Sequence, residues 1–302
     1  MATLNSLSVI VHTKNSASTL EACLKSVHLL ADQLIVMDME STDDSVAIAK
    51  KFKATILHHT DVGYVEPARN AALQQATQDW TLILDSDEEI SPALAKNITK
   101  LLKETSSVVA YRLPRKNLIF GQWAQSGWWP DYQVRLFRTS KVTWKPQLHS
   151  QPTIQGELKS LPADEDWAII HHNYENIQAF IDRAQRYSQI AAQEMGKGER
   201  PQATNLVTTW LTEFIKRWYS LGAHKQGQYG ETLAALQSFF EVLTLAQYWE
   251  HKKWSSTQSP LKLSHELTTL AKQAKYWEAH LHWETTTGLT QLYWRIRMKL
   301  RI

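Results

Sequence analysis

Short apolar runs alternate with stretches of helical period through the N-terminal third of the chain. Leu7–Val11 (LSVIV) predicts a buried strand. Leu20, Cys23, Leu24, Val27 and Ala31 then recur at helical spacing, behind a capping-box pattern at Ser18-Thr19-Leu20-Glu21. Gln33–Met37 (QLIVM) predicts a second strand, ending in Asp38. Thr42 or Asp43 is placed to cap the next helix, which carries Val46, Ala49 and Phe52. Ala54–Leu57 predicts a third strand, and Pro67 suits the first residue of a helix through Ala76. Trp80–Leu84 predicts a fourth strand. Strands and helices alternating in this way imply an α/β fold, a parallel doubly wound sheet with right-handed crossovers.

Three of these strands end in polar groups. They are Thr13-Lys14-Asn15, then Asp38 through Asp43, then Asp85-Ser86-Asp87 in WTLILDSDEE. In an open α/β sheet, ligands collect beyond the carboxyl ends of the strands. Asp85 and Asp87 point to one side if the extended backbone persists that far. Two convergent carboxylates suit Mg²⁺ or Mn²⁺ shared with substrate phosphates. A plainer reading is that Asp85 or Ser91 caps the helix after Pro92. The convergence of three polar strand ends favours a metal–nucleotide site. Neither GxGxxG nor GxxxxGK[ST] occurs, which argues against a classical dinucleotide or P-loop site.

Val108–Leu113 predicts a further strand. Arg115-Lys116-Asn117 follows, then a loop in which Gly127-Trp128-Trp129-Pro130 offers an aromatic wall for a sugar ring. Asp131 precedes VRLF, whose apolar residues are bracketed by Arg135 and Arg138. Beyond this the pattern is helical: Ile177–Met195, a GKGERPQ linker at Gly196–Gln202, a stripe of Trp210, Phe214, Trp218 and Leu221, then Leu233–Trp249. The final WRIRMKLRI alternates strictly, as a strand would. Leu289, Leu292, Tyr293, Ile296 and Leu300 equally suit a helix, and periodicity leaves both open.

Composition and charge refine this picture. The 302 residues are 43% apolar and 21% charged, a globular composition. The lone Cys23 excludes an internal disulfide and fits a reducing compartment. Neither a signal-peptide pattern nor a long uncharged apolar run is visible, so a cytoplasmic location is expected. The net charge of +3 is uneven: residues 251–302 carry nine Lys or Arg against three Glu. A basic tail rich in Trp is expected to meet an anionic membrane surface on the inner face of the cytoplasmic membrane; no nucleic-acid partner is expected.

SVIVHTKN, IVMDMESTDDS, PARNAAL and LILDSDEE, in that order, resemble the nucleotide-binding half of a family 2 glycosyltransferase of GT-A fold. WWPDYQVRLFR, LHSQP and the helical tail extend the likeness to the membrane-associated subgroup that builds lipopolysaccharide cores and related surface glycans. The resemblance implies a GT-A domain over 1–200, with a nucleotide-sugar half at 1–105 and an acceptor half at 106–200, and a helical basic extension over 201–302. It implies that Asp38 recognises the base, that Thr13 and Asn15 line base and ribose, and that Arg69 meets the nucleotide. Asp85 and Asp87 match the DxD, with His149 as a supplementary metal ligand for Mg²⁺ or Mn²⁺. Trp128, Trp129 and Arg135 complete the substrate-binding set, Asp131 is the first choice for the general base, and Glu88 is the second.

The expected reaction is inverting transfer from a nucleotide-diphosphate sugar, expected to be a UDP-sugar, to a hydroxyl of a lipopolysaccharide-core or other lipid-linked glycan. Ser150 stands where the family has Glu, and His12, Glu40 and Gln226 are further departures. They motivate one alternative, a catalytically inactive nucleotide-sugar-binding protein. A protein- or peptide-modifying glycosyltransferase and a nucleotidyl or phosphoryl transferase are others. His171-His172 resembles a later family histidine without an assigned role.

Overall fold

The computed structural model describes residues 5–145, 151–195, 205–254 and 260–300. His149 and Ser150 lie outside the described residues. Two compact units, Met1–Glu175 and Asn176–Ile302, divide the chain.

The first unit opens with β1 (Leu7–Thr13), α1 (Leu20–Val27), β2 (Gln33–Asp38), α2 (Ser45–Lys51), β3 (Thr55–His58), α3 (Glu66–Leu73) and β4 (Trp80–Asp85). It continues through β5 (Glu88–Ile90), α4 (Pro92–Lys103), β6 (Val108–Leu113), β7 (Arg115–Ile119), β8 (Gln122–Trp123) and β9 (Gln133–Arg138). Short strands β10 (Val142–Thr143), β11 (Thr153–Ile154), β12 (Glu157–Ser160) and β13 (Ile169–Tyr174) complete it. Among the described residues the main sheet has seven strands in the order β12-β6-β9-β4-β1-β2-β3. The β4-β1-β2-β3 half is parallel, as the alternating pattern predicts. Strand β9 is inserted antiparallel between β4 and β6. A second sheet, β5-β13-β7-β8, stands beside it.

Every residue of β1 is buried, because helices cover both faces of its sheet. Leu7, Val9 and Val11 join Leu20, Leu24, Leu94 and Ile98 in one core. Ile10 joins Ile35, Met37, Ala68 and Ala72 in the other. Each fully buried aliphatic side chain contributes about 1.5–3 kcal/mol.

The register brings the polar ends together, since Thr13 pairs with Asp38 and His12 with Asp85. The caps fall elsewhere than the pattern predicts for α1, where Thr19 makes no side-chain capping bond. For α4 the open choice is decided: Ser91 Oγ accepts from Leu94 N at 3.1 Å. Asp85 is thereby left for another role.

The second unit contains α5 (Ile177–Met195), α6 (Leu206–Ile215), α7 (Gly227–His251), α8 (Pro260–Thr285) and α9 (Gly288–Leu300). α5 and α6 pack on α7, and α9 packs on α8. The predicted aromatic stripe is real, with Trp210 stacked on Phe214 at 5.2 Å and Phe214 on Trp218 at 6.0 Å. The ambiguous C-terminal segment is helical through Leu300. No described helix is long and apolar enough to cross a membrane.

Candidate active site

The apolar run of β4 ends where the sheet meets solvent, and Asp85 closes it. Its carboxylate is divided between two guanidiniums. Arg69 Nη2 donates to Oδ1 at 3.4 Å, and Arg135 Nη2 donates to Oδ2 at 2.5 Å. Burial alone would raise the Asp85 carboxyl; the charges of Arg135 and Arg69 outweigh it and hold the group well below its ordinary range. Asp85 is therefore ionised and internally compensated. The chain turns at Ser86-Asp87 before β5 begins, so the extended backbone does not persist as far as Asp87.

Glu88 has no exposed side-chain surface. Its Oε1 accepts from Arg135 at 2.6 Å and Arg115 at 3.2 Å, and its Oε2 from the Asp85 backbone N–H at 3.1 Å. A carboxylate so enclosed holds the turn together, with no exposed oxygen for an acceptor hydroxyl. Arg135, expected among the substrate-binding residues, has a side chain 3% exposed and shared between Asp85 and Glu88. Burial disfavours its charge, but Asp85 and Glu88 more than restore it and raise its pKa.

Asp131 follows the Trp129–Pro130 bond, which is cis. Its Oδ2 accepts from Arg115 Nε at 2.9 Å, Arg115 Nη2 at 2.5 Å and Asn117 Nδ2 at 3.1 Å, and Gln133 Nε2 reaches Oδ1 at 3.0 Å. Burial would raise this carboxyl, and Arg115, Asn117 and Gln133 together lower it. It is a well-anchored carboxylate acceptor. An unbroken line of alternating charge thus runs Arg69, Asp85, Arg135, Glu88, Arg115, Asp131. At one end of it Arg69 lies 5.5 Å from the Trp144 ring centroid, and burial lowers its pKa more than Asp85 raises it.

Asp87, across the turn, faces β13. Its Oδ2 lies 3.6 Å from His171 Nε2. The other ring nitrogen, Nδ1, is 2.6 Å from Asn117 Oδ1. Asn117 Nδ2 donates to Trp128 O and Asp131, which fixes the amide with its oxygen toward His171. Nδ1 then carries a proton toward that oxygen, and Nε2 faces the Asp87 carboxylate. Carboxylate oxygen and imidazole nitrogen 3.6 Å apart are a donor pair that suits Mn²⁺. Among the described residues no group of three or more His, Cys, Asp or Glu is arranged around a metal. Sequence reasoning left His171 without a role; the signal lies in its contact with Asn117, which spacing does not reveal.

The strand ends expected to meet a nucleotide lie along the same edge. Thr13 is buried, and its Oγ1 finds no hydrogen-bond partner among the described residues. Asp38 accepts from Ser41 N at 3.2 Å and lies 3.3 Å from His58 Nδ1. Asn15 adopts φ 48° and accepts from Thr42 N at 2.7 Å, pinning the loop after β2 against the loop after β1. Behind Asp85 the His12 ring is 3% exposed; burial first, then Arg69, lowers its pKa to about 3. On the far side Trp129 packs edge-on against Trp123 at 5.3 Å, with Lys116 4.6 Å from the Trp123 ring. Trp128 and Trp129 both remain partly exposed.

A mainly parallel sheet with helices on both faces, polar strand ends in register and an acidic turn beyond the fourth strand fit a glycosyltransferase of GT-A fold. Residues 8–153 match the model of glycosyl transferase family 2. An uncharacterized glycosyltransferase of Rickettsia felis is 37% identical over 243 residues, spanning 72% of this chain and 82% of the relative. The chain belongs to glycosyl transferase family 2. It is also 22% identical to the lipopolysaccharide core biosynthesis glycosyltransferase LpsC of Rhizobium meliloti, over 81% of this chain and 92% of that protein. Among solved structures, the mannosyltransferase PcManGT from Pyrobaculum calidifontis in complex with GDP-Man and Mn²⁺ is 16% identical, over 97% of this chain and 87% of that one, at a TM-score of 0.45.

Proposed function

We propose that the protein transfers a sugar, with inversion, from a UDP-sugar to a hydroxyl of a lipopolysaccharide-core or other lipid-linked glycan. The observation that carries this is the opposed pair of Asp87 Oδ2 and His171 Nε2 at 3.6 Å, beside the edge where Thr13 and Asp38 pair. The relative named for lipopolysaccharide core biosynthesis supports the acceptor class.

In this reading Asp38 accepts an N–H from the base with a lone pair that Ser41 and His58 leave over, since a carboxylate offers about four. Thr13 Oγ1 meets the nucleoside, and Asn15 holds the loop that shapes its pocket. Asp87 and His171 hold Mn²⁺ or Mg²⁺, which when bound supplies electrostatic stabilisation to the leaving diphosphate. Asp85 keeps Arg69 in place at the phosphate end. Asp131 receives the proton from the attacking hydroxyl, with Trp128 and Trp129 beside the acceptor ring. Arg115 and Asn117 orient Asp131, and its lowered pKa keeps it ready as a base at any physiological pH while limiting its proton affinity. The enzyme then works at the inner face of the cytoplasmic membrane, where a lipid-linked acceptor is presented.

Release of UDP from UDP-sugars, with and without Mn²⁺ and a core-oligosaccharide acceptor, tests the reading. Metal-dependent UDP release that acceptor accelerates is the expected result. Binding without turnover for every acceptor would leave a nucleotide-sugar-binding protein instead, and pyrophosphate as product would mean nucleotidyl transfer.

A further inference from the structure

Helix α9 has two faces. On the inner one, Trp294 stacks on His282 of α8 with ring centroids 4.1 Å apart, and Gln291 Nε2 donates to Trp283 O at 3.2 Å. On the outer one, Leu289, Leu292, Tyr293, Ile296 and Leu300 are 85%, 51%, 53%, 50% and 61% exposed. At about 100° per residue these five fall within an arc of roughly 100°. Single exposed leucines are ordinary on a protein surface, but a continuous stripe of five large apolar side chains marks an interaction face.

Charge identifies the occupant. The same helical phase puts Arg297 at one rim of the stripe and Arg295 and Lys299 at the other. α9 carries no Asp or Glu to oppose them. Aliphatic centre and basic rims are complementary to a surface that is apolar inside and anionic at its border. Basic residues flank the stripe on both sides, so the helix suits lying along a bilayer rather than across it. We propose that α9 docks the protein on an anionic lipid surface, with its stripe in the headgroup–acyl boundary and Arg295, Arg297 and Lys299 against lipid phosphates. This deepens the reading of a lipid-linked acceptor by naming the surface that meets the membrane, yet it concerns binding alone and is measured without donor or acceptor.

The test is co-sedimentation of the full chain with vesicles of phosphatidylcholine alone, or of phosphatidylcholine mixed with phosphatidylglycerol. Wild type is expected to bind the anionic vesicles at least tenfold more tightly than the neutral ones, and less tightly as salt rises. The Leu292→Ser/Ile296→Ser variant should bind at least tenfold more weakly. The Arg295→Gln/Arg297→Gln/Lys299→Gln variant should lose the preference for anionic vesicles. Both variants should retain the wild-type circular dichroism spectrum and, on a soluble donor, the wild-type rate of UDP release. Failure of wild type to bind anionic vesicles would overturn the proposal, as would unchanged binding by both variants. So would a wild-type dimer in analytical ultracentrifugation that Leu292→Ser/Ile296→Ser dissolves without any vesicle binding, since a second copy would then be the occupant. A protein that binds vesicles but releases no UDP would keep this inference and lose the catalytic reading.

Discussion

At the residue scale, two histidines carry opposite work. His171 faces the Asp87 carboxylate from β13; His12 is excluded from solvent and kept neutral. Asp87→Ala is expected to lower Mn²⁺-dependent UDP release by about a hundredfold or more, with thermal stability nearly unchanged. His171→Phe should weaken Mn²⁺ affinity about 10–100-fold, read directly by metal titration. His12 makes a prediction about acid stability. Its folded pKa is lowered to about 3 from an ordinary 6.5, so below pH 6.5 the unfolded chain takes up a proton that the folded one refuses. Its contribution is complete above pH 6.5 and declines as pH falls toward 3, by about 1.4 kcal/mol per pH unit. Between pH 7 and 5 wild type should therefore lose about 2 kcal/mol through this group, and urea midpoints of His12→Leu should show a correspondingly smaller loss. Asp85 and Asp87 were legible as candidates because acids at the end of an apolar strand need a reason. Glu88 and Arg135 were legible as charges but not as buried partners. Their burial depends on β9 lying beside β4, a pairing that no local pattern encodes.

At the element scale, β1 to β4 could be read from the sequence because each is a short apolar run closed by polar residues. The second sheet could not: β8 has two residues and β5 three, too few for an alternation to register. The C-terminal segment was ambiguous because its strict alternation lies within a longer helical stripe that begins at Leu289. Length decided it, since only the helix accommodates both ends of that stripe. Ser91 illustrates the reverse case, a cap legible from its position before Pro92 and realised in the structure. Ser91→Ala should cost about 1 kcal/mol by urea denaturation and leave UDP release intact, because α4 supports the core rather than the site.

At the scale of the whole molecule, ligand and fold should stabilise each other. With Mn²⁺ and UDP each present and UDP at a hundred times its Kd, the apparent stability should rise by about 2.7 kcal/mol, and chelation should abolish most of that rise. The line of alternating charge has a consequence for how this chain can be divided. Asp85 and Glu88 belong to the first half of the catalytic unit, while the arginines that neutralise Glu88, Arg115 and Arg135, arrive with the second. Without them, two interior carboxylates would face each other with only Arg69 nearby, and removing one partner of a buried pair costs about 3–5 kcal/mol. Residues 1–105 are therefore not a transplantable module. A chimera joining them to the second half of another transferase inherits this constraint: the graft must bring its own guanidiniums to positions 115 and 135, or the turn after β4 is left with uncompensated carboxylates.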